Sequence, residues 1–253
     1  NDLIMGRSHL AKEYEPELVL DIDAGIPSVL EGDGRKIKKI LKHLVGNAIK
    51  FTHKGGIYVR IYAREKDYGV NLCIQVSDTG EGIAPEHMAQ ITERFFQSSE
   101  GRNRKVGGLG LGLSIVYGMV AAMDGFVQIK SKPGEGTIVF VSIPQKVMDA
   151  APGMMLENRE ELCLACYLSP KKYEVPTVRS YYDDLINHLV CGLDVTLHRV
   201  SEEKELKRLV AVYQLTHLMI GSEEYEKNPD YFENLDRNIC VIVIAGGTFD
   251  LPQ

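Results

Sequence analysis

At 253 residues and 44% hydrophobic content, the chain can bury a sizeable core, and two domains are expected. A net charge of -6 and an isoelectric point near 5.7 argue against a nucleic-acid binder, and no apolar run approaches the roughly 18 residues of a membrane span. Five scattered cysteines in a chain of this size fit a reducing cytosol rather than a disulfide framework.

Taken in order, residues 1–23 read as an opening helix and strand. The stretch RKIKKILKHLVGNAIKFT, residues 35–52, places Ile37, Ile40, Leu41, Leu44, Val45, Ala48 and Phe51 at helical spacing, which predicts an amphipathic helix against a core. His43, Asn47 and Lys50 stand four and three residues apart and form a polar stripe on another side of it. Such a stripe is either a solvated face or a place where an amide oxygen meets a divalent cation and a lysine meets phosphate.

In YGVNLCIQVSDTGEGI, Val70, Leu72, Ile74 and Val76 alternate along one face of a strand, and Asp78 continues that register. An acid on the buried face needs a partner. It either caps the following turn or accepts from an exocyclic amine such as N6 of adenine. Gly80 and Gly82 follow, which lets the backbone pass close to a flat ligand.

The segment FFQSSEGRNRKVGGLGLGLSIV, residues 95–116, carries Arg102, Arg104 and Lys105 into Gly107, Gly108, Gly110, Leu111 and Gly112, and then into a helix. Glycines and a helix N-terminus suit a bound polyphosphate, although glycine-rich loops also serve as plain turns. GEGTIVFVSIP then predicts a strand with Thr137, Val139, Val141 and Ile143 on one face, and Thr137 is expected to share the pocket of Asp78.

Residues 146–160, KVMDAAPGMMLENRE, lack periodicity and are expected to be a linker between a first domain at 1–145 and a second at 161–253. In the second, LCLACYL, LDVTLHRV, LTHLMIG and CVIVIAG predict four short strands separated by helical patterns, hence parallel pairing in an α/β layer structure. Cys163 and Cys166 spell C-x-x-C, but a three-residue offset puts them on opposite strand faces, so they read as buried small hydrophobes.

Together these motifs resemble the catalytic, ATP-binding domain of a sensor histidine kinase of the GHKL superfamily. HLVGNAIKFT is similar to the N box, DTGEGI to the first glycine box, ERFFQ to part of the F box, and GGLGLGL to the second glycine box, in the family's order and spacing. The resemblance implies an α/β sandwich, a mixed sheet with helices on one face. It implies ATP and Mg²⁺ as cofactors, and phosphoryl transfer in which His43, Asn47 and Lys50 are the catalytic positions. Asp78 binds the adenine amine with Thr137 helping, Asn47 holds Mg²⁺, and Lys50 meets phosphates. Gly80, Gly82, Gly108, Gly110, Leu111 and Gly112 line the nucleotide, and Arg104 and Lys105 are lid cations. Two positions depart from the pattern: His43 stands where the kinases carry Asn and the ATPase branches a general-base Glu, and Thr92 where the F box opens with an aromatic. A histidine at 43 is either metal-compatible or a weak base.

The only early histidine, His9, is followed by Leu10 rather than by the acid that usually follows a phosphoacceptor. The chain is therefore expected to be a fragment of a longer, homodimeric hybrid kinase, cytoplasmic here and open to membrane anchoring elsewhere. Its acceptor histidine would lie on a dimerisation hairpin outside the chain, and its downstream partner would be a receiver domain or response regulator.

The second domain resembles a flavodoxin-like receiver that lacks receiver chemistry and is incomplete at its C-terminal end. Leu168 and Ser169 stand where an acidic pair belongs, Gly221 where the phosphoacceptor Asp belongs, and Ala245 in place of the usual Thr or Ser. Asp183 and Asp184 lie within a helix. Lys171, Lys172 and Arg179 form either a solvated loop or a site for a small anionic ligand. The rival to a kinase is a non-catalytic nucleotide-binding module that acts through protein contacts.

Overall fold

The computed structural model describes residues 16–88, 90–91, 112–155, 158–168 and 175–244, which form two compact units divided between Met154 and Met155.

The first unit opens with β1 (Glu17–Ile22) and β2 (Pro27–Glu31) and then α1 (Gly34–Phe51). Asp33 caps α1, accepting from the Lys36 N–H at 3.0 Å, and this satisfies one of the orphan donors of the first turn. The strands β3 (Gly56–Lys66) and β4 (Gly69–Asp78), the helix α2 (Gly112–Ala121), and the strands β5 (Phe126–Lys132) and β6 (Gly136–Pro152) complete the unit. One mixed sheet runs β1-β3-β4-β6-β2, with β5 also paired to β6; β1 lies parallel to β3 and the other pairs are antiparallel. Ile40, Leu44, Val45 and Ala48 of α1 and Val116 and Val120 of α2 meet Ile57, Val59, Ile74, Val76, Val139, Val141 and Ile143 of the sheet in a single core. Each fully buried aliphatic side chain there contributes about 1.5–3 kcal/mol. This is the helix-covered mixed sheet expected of the family.

The other sheet face has no helix in the core cluster, yet Cys73, Ser77 and Ser142 on it are buried. Long neighbours spread over them. The guanidinium of Arg60 lies 4.7 Å from the Tyr62 ring centre, that of Arg64 5.3 Å from the same ring and 5.7 Å from Phe140, and Phe126 stands 5.7 Å from Phe140.

Two expectations are corrected. Phe51 is 45% exposed rather than in the core, and the Lys50 ammonium lies 4.9 Å from its ring centre. It falls in the last turn, beyond the sheet that covers Ala48. Residues 146–152, expected as linker, extend β6 and pair antiparallel with β2, and the break between units comes at 154/155. The ribbon is exposed on both sides, so its sequence shows no inside–outside alternation to read.

In the second unit, β7 (Cys163–Tyr167), α3 (Pro176–Leu193), β8 (Thr196–Val200), α4 (Glu203–Val212), β9 (His217–Gly221), α5 (Ser222–Glu226), α6 (Pro229–Glu233) and β10 (Cys240–Ile244) follow in turn. The four strands are all parallel, in the order β10-β9-β7-β8. Leu206 of α4, Tyr225 of α5 and Phe232 of α6 share one core with the sheet, while the buried Val178, Tyr181, Tyr182 and Ile186 of α3 lie outside it. Right-handed crossovers that move in opposite directions from β7 put α3 on the opposite face.

Gly136 begins β6 at φ +103°, and a Cβ there would overlap the Asp78 carbonyl; Gly134, at φ +75°, has open space around it. Gly134→Ala is therefore expected to cost about 1–2 kcal/mol from backbone strain alone. Gly136→Ala should cost at least ~1 kcal/mol more, because β6 must shift off Asp78. Urea unfolding of both variants checks this, and equal losses would refute the close approach.

Candidate nucleotide site

The register of β4 creates the site. Val70, Leu72, Ile74 and Val76 are buried, so Asp78, two residues on, emerges on the same face at the strand's end. It is paired across the sheet with Thr137, and Oδ1 accepts the backbone N–H groups of Gly80 at 2.9 Å and Thr137 at 3.2 Å. Neither bond uses Oδ2, which keeps its accepting capacity. Burial raises the pKa of the Asp78 carboxyl, and the two N–H donors oppose that shift in part.

Thr137 does share the Asp78 end of the sheet, as its register required. Its hydroxyl pairs with that of Ser131 at 2.8 Å, and the Ser131 hydroxyl in turn donates to the Gly136 carbonyl and accepts from the Ile83 N–H. Sequence reading missed Ser131; the signal was its place opposite Thr137 across the PGEG hairpin turn. Thr79 was also missed. Its hydroxyl donates to the Lys54 carbonyl at 3.1 Å and accepts from the Gly56 N–H at 3.0 Å, tying the turn after α1 to the end of β4.

Gly80 and Gly82 have a packing reason that the sequence did not reveal. A Cβ at Gly80 would overlap the carbonyl of Phe51, and one at Gly82, where φ is +70°, would overlap that of Lys132. The Asp78 loop is thus pressed onto the last turn of α1.

His43, Asn47 and Lys50 all lie on α1 and are half-buried. A Cβ on Gly112, the first residue of α2, would stand 3.4 Å from the Asn47 side-chain amide. The N-terminal end of α2, where unpaired N–H groups gather, therefore faces Asn47. His43 Nε2 is buried without a hydrogen-bond partner. Burial, followed by the nearby charges of Lys39 and Lys42, lowers the pKa of its imidazole. Thr92, Arg104, Lys105, Gly108, Gly110 and Leu111 lie outside the described residues, as do Lys171 and Lys172; Arg179 is exposed in the first turn of α3. Burial pushes the Cys166 thiol up to about 11, so it stays protonated at neutral pH.

Arranged in this way, a carboxylate oxygen, a helix N-terminus and an amide side chain form an acceptor for an amine at one end of α1 and an anion-compatible region one turn away. Residues 32–147 match the family model described as histidine kinase-, DNA gyrase B-, and HSP90-like ATPase. The chain is 36% identical over 149 residues to the autoinducer 2 sensor kinase/phosphatase LuxQ of Vibrio cholerae, covering 58% of this chain and 17% of that protein. It is 32% identical over 159 residues to the signal transduction histidine-protein kinase BarA of Escherichia coli, covering 62% of this chain and 17% of that protein.

The first unit carries a GHKL histidine kinase catalytic domain. The chain spans about a sixth of the length of these curated relatives. The crystal structure of full-length ShkA in complex with AMPPNP superposes with a TM-score of 0.61 at 21% identity, covering 90% of this chain and 48% of that one, a likeness of fold that reaches beyond the kinase domain. Among the described residues of the chain, no helix is long and apolar enough to cross a membrane.

The raised pKa of Asp78 carries a sign. The folded protein holds the proton more tightly than the unfolded chain, so ionising Asp78 costs stability as pH rises from the ordinary aspartate range through the raised value. Asp78→Asn lacks that charge. The stability of the variant relative to the wild type should therefore increase as pH rises from the ordinary aspartate range and level off once Asp78 is ionised in the folded protein. Urea midpoints across that range measure it, and a pH-independent difference would sink the assignment.

Proposed function

We propose that the kinase domain binds ATP with Mg²⁺ and, within a longer cytosolic and dimeric hybrid kinase, delivers the γ-phosphoryl to a histidine on a helical dimerisation hairpin. The observation that carries this reading is Asp78: a half-buried carboxylate whose Oδ1 is held by two backbone donors while Oδ2 is left for an exocyclic amine. Adenine is recognised there with Thr137 alongside. The phosphates run past Asn47 toward the N-terminus of α2, and Lys50 adds positive charge from the same helix face.

Asn47 offers an amide oxygen of the kind a hard divalent cation accepts, so the residues present fit Mg²⁺, which when bound neutralises charge on the phosphate oxygens. In the transfer, a neutral acceptor imidazole nitrogen attacks the γ-phosphorus, the bond to the bridging oxygen breaks, ADP leaves, and the imidazole releases its proton to solvent. The domain contributes positioning and charge neutralisation rather than covalent chemistry.

The second unit is read as a receiver-like module that accepts no phosphoryl group. Its strand order, β10-β9-β7-β8, is the one found in flavodoxin-like folds. β9 ends in Gly221, and a Cβ there would overlap the buried carboxylate of Glu224, so the place of an acceptor is already filled. Arg179 is the described member of a basic set that we assign to a small anionic ligand. A response regulator or separate receiver would then take the phosphoryl group onward. That filled place, with His43 in the N box, also favours the rival of a nucleotide-binding module without transfer.

Calorimetric titration with AMPPNP tests the nucleotide site, and addition of the isolated helical hairpin with ATP separates the readings. Phosphohistidine formation supports the kinase, whereas tight binding without transfer supports the rival. Asp78→Asn is expected to weaken ATP binding about 10–100-fold and to erase the preference over GTP, since it replaces the acceptor for the N6 amine by a donor. An intact preference would refute the adenine role. Asn47→Ala should weaken binding only when Mg²⁺ is present; an equal loss in EDTA would count against a metal ligand.

A further inference from the structure

His43 is the one member of the polar stripe on α1 that the proposed function leaves without a task. Its Nε2 is buried and makes no hydrogen bond. Burying a polar nitrogen unpaired forfeits its hydration with nothing in return, so a packing role alone is served better by an apolar residue. His43 also departs from the core stripe: Ile40, Leu44 and Ala48 face the sheet, while His43 shares its side of the helix with Asn47, one turn on.

Position along α1 matters as well. The Asp78 loop rests on the carbonyl of Phe51, at the C-terminal end of the helix. At 1.5 Å per residue, Asn47 lies about 6 Å back from Phe51 and His43 about 12 Å back. A nucleotide anchored at Asp78 and running past Asn47 therefore extends its terminal phosphate toward His43. The His43 imidazole, whose Nε2 makes no hydrogen bond, offers a nitrogen lone pair there in the tautomer protonated at Nδ1.

We propose that His43 Nε2 and the Asn47 amide oxygen together hold the metal ion of the bound nucleotide, so that this site prefers a first-row transition ion such as Co²⁺ or Ni²⁺ over Mg²⁺. The proposal rests on the ATP-binding reading above and adds the class of metal. Mg²⁺ takes an all-oxygen octahedron and gives up its waters reluctantly, whereas imidazole nitrogen favours the later first-row ions. One nitrogen in place of one oxygen therefore tilts the balance without any change to the adenine pocket.

The test is AMPPNP titration of the chain in Mg²⁺ and in Co²⁺, for wild type, His43→Asn and His43→Gln, together with the visible absorption of the Co²⁺ complex. Because Co²⁺ has its own affinity for nucleotides, the variants serve as the reference. The wild type should favour Co²⁺ over Mg²⁺ by at least about tenfold more than either variant does, and its Co²⁺ band should shift on substitution as a nitrogen ligand is lost. The two substitutions keep a polar side chain of similar size, and a thermal melt confirms folding of each. A Co²⁺-to-Mg²⁺ ratio and a spectrum unchanged in both folded variants overturn the metal proposal while leaving ATP binding intact. No AMPPNP binding with any metal overturns both readings.

Discussion

Asp78 sits where four pieces of the kinase domain converge, and its position is set by a register rather than by any bond of its own. Ile74 and Val76 hold β4 against the helices, with Val70 and Leu72 buried in the same alternation, and this register decides that the acid emerges on the inner face. A slip of one residue would turn it to the opposite side together with every other side chain of the strand. Once placed, it is gripped from three directions. Thr137 donates from β6, Gly80 donates from its own loop, and Gly136 fits under its carbonyl only because it lacks a Cβ. Thr79, next in sequence, links the same point to the turn after α1. The penalty for burying a carboxylate is thus met by the strands around it, each aliphatic residue contributing about 1.5–3 kcal/mol. Burial that raises the pKa of the acid also removes competing water from its free oxygen.

How far this was legible depends on whether periodicity and function coincide. The helix expected over 35–52 is found over Gly34–Phe51, and Thr137 stands opposite Asp78 as alternation required, since both elements have one buried side. Phe51 was misread because a 3.6-residue pattern continues into the last turn whether or not there is sheet left to cover it. The strand over 146–152 was missed because its ribbon with β2 has no buried face to imprint on the sequence, as the 65% exposure of Met148 shows. Gly80 and Gly82 stood out as an approach for a flat ligand, but the packing that requires glycine there lies in distant backbone, the carbonyls of Phe51 and Lys132, which no local pattern reveals. The outer sheet face was equally opaque: nothing in the sequence pattern marks Arg60, Tyr62, Arg64 and Phe140 as a layer over the small residues buried there.

The second unit shows how crowding at a strand end selects a residue in a parallel sheet. Leu218 and Ile220 of β9 are fully buried, and the strand ends at Gly221, directly before α5. The space above that end is taken by the Glu224 carboxylate, whose nearest cation is Lys227 at 4.0 Å. An acid that arrives from α5 therefore stands where one from the strand would otherwise project. The requirement for glycine at 221 follows from crowding and not from backbone conformation, since 221 is absent from the positive-φ residues.

One helix thus serves two masters in the kinase domain, and the separation is angular. Ile40, Leu44, Val45 and Ala48 answer to the sheet, and any change among them is paid in stability. His43, Asn47 and Lys50 lie on another side, and Asn47 among them faces the start of α2. Because the two sets share a backbone but few contacts, the polar stripe can change identity while the core stays intact. A histidine at position 43 is the visible case: it offers an imidazole where the family pattern has an amide, and the helix that carries it keeps its cap, its length and its packing. The physical consequence is that the fold fixes where Asp78 and the end of α1 meet, through the register of β4 and the close approach of Gly80 to Phe51. Under the metal assignment proposed above, single residues on the polar side of the same helix then decide which ion accompanies a nucleotide.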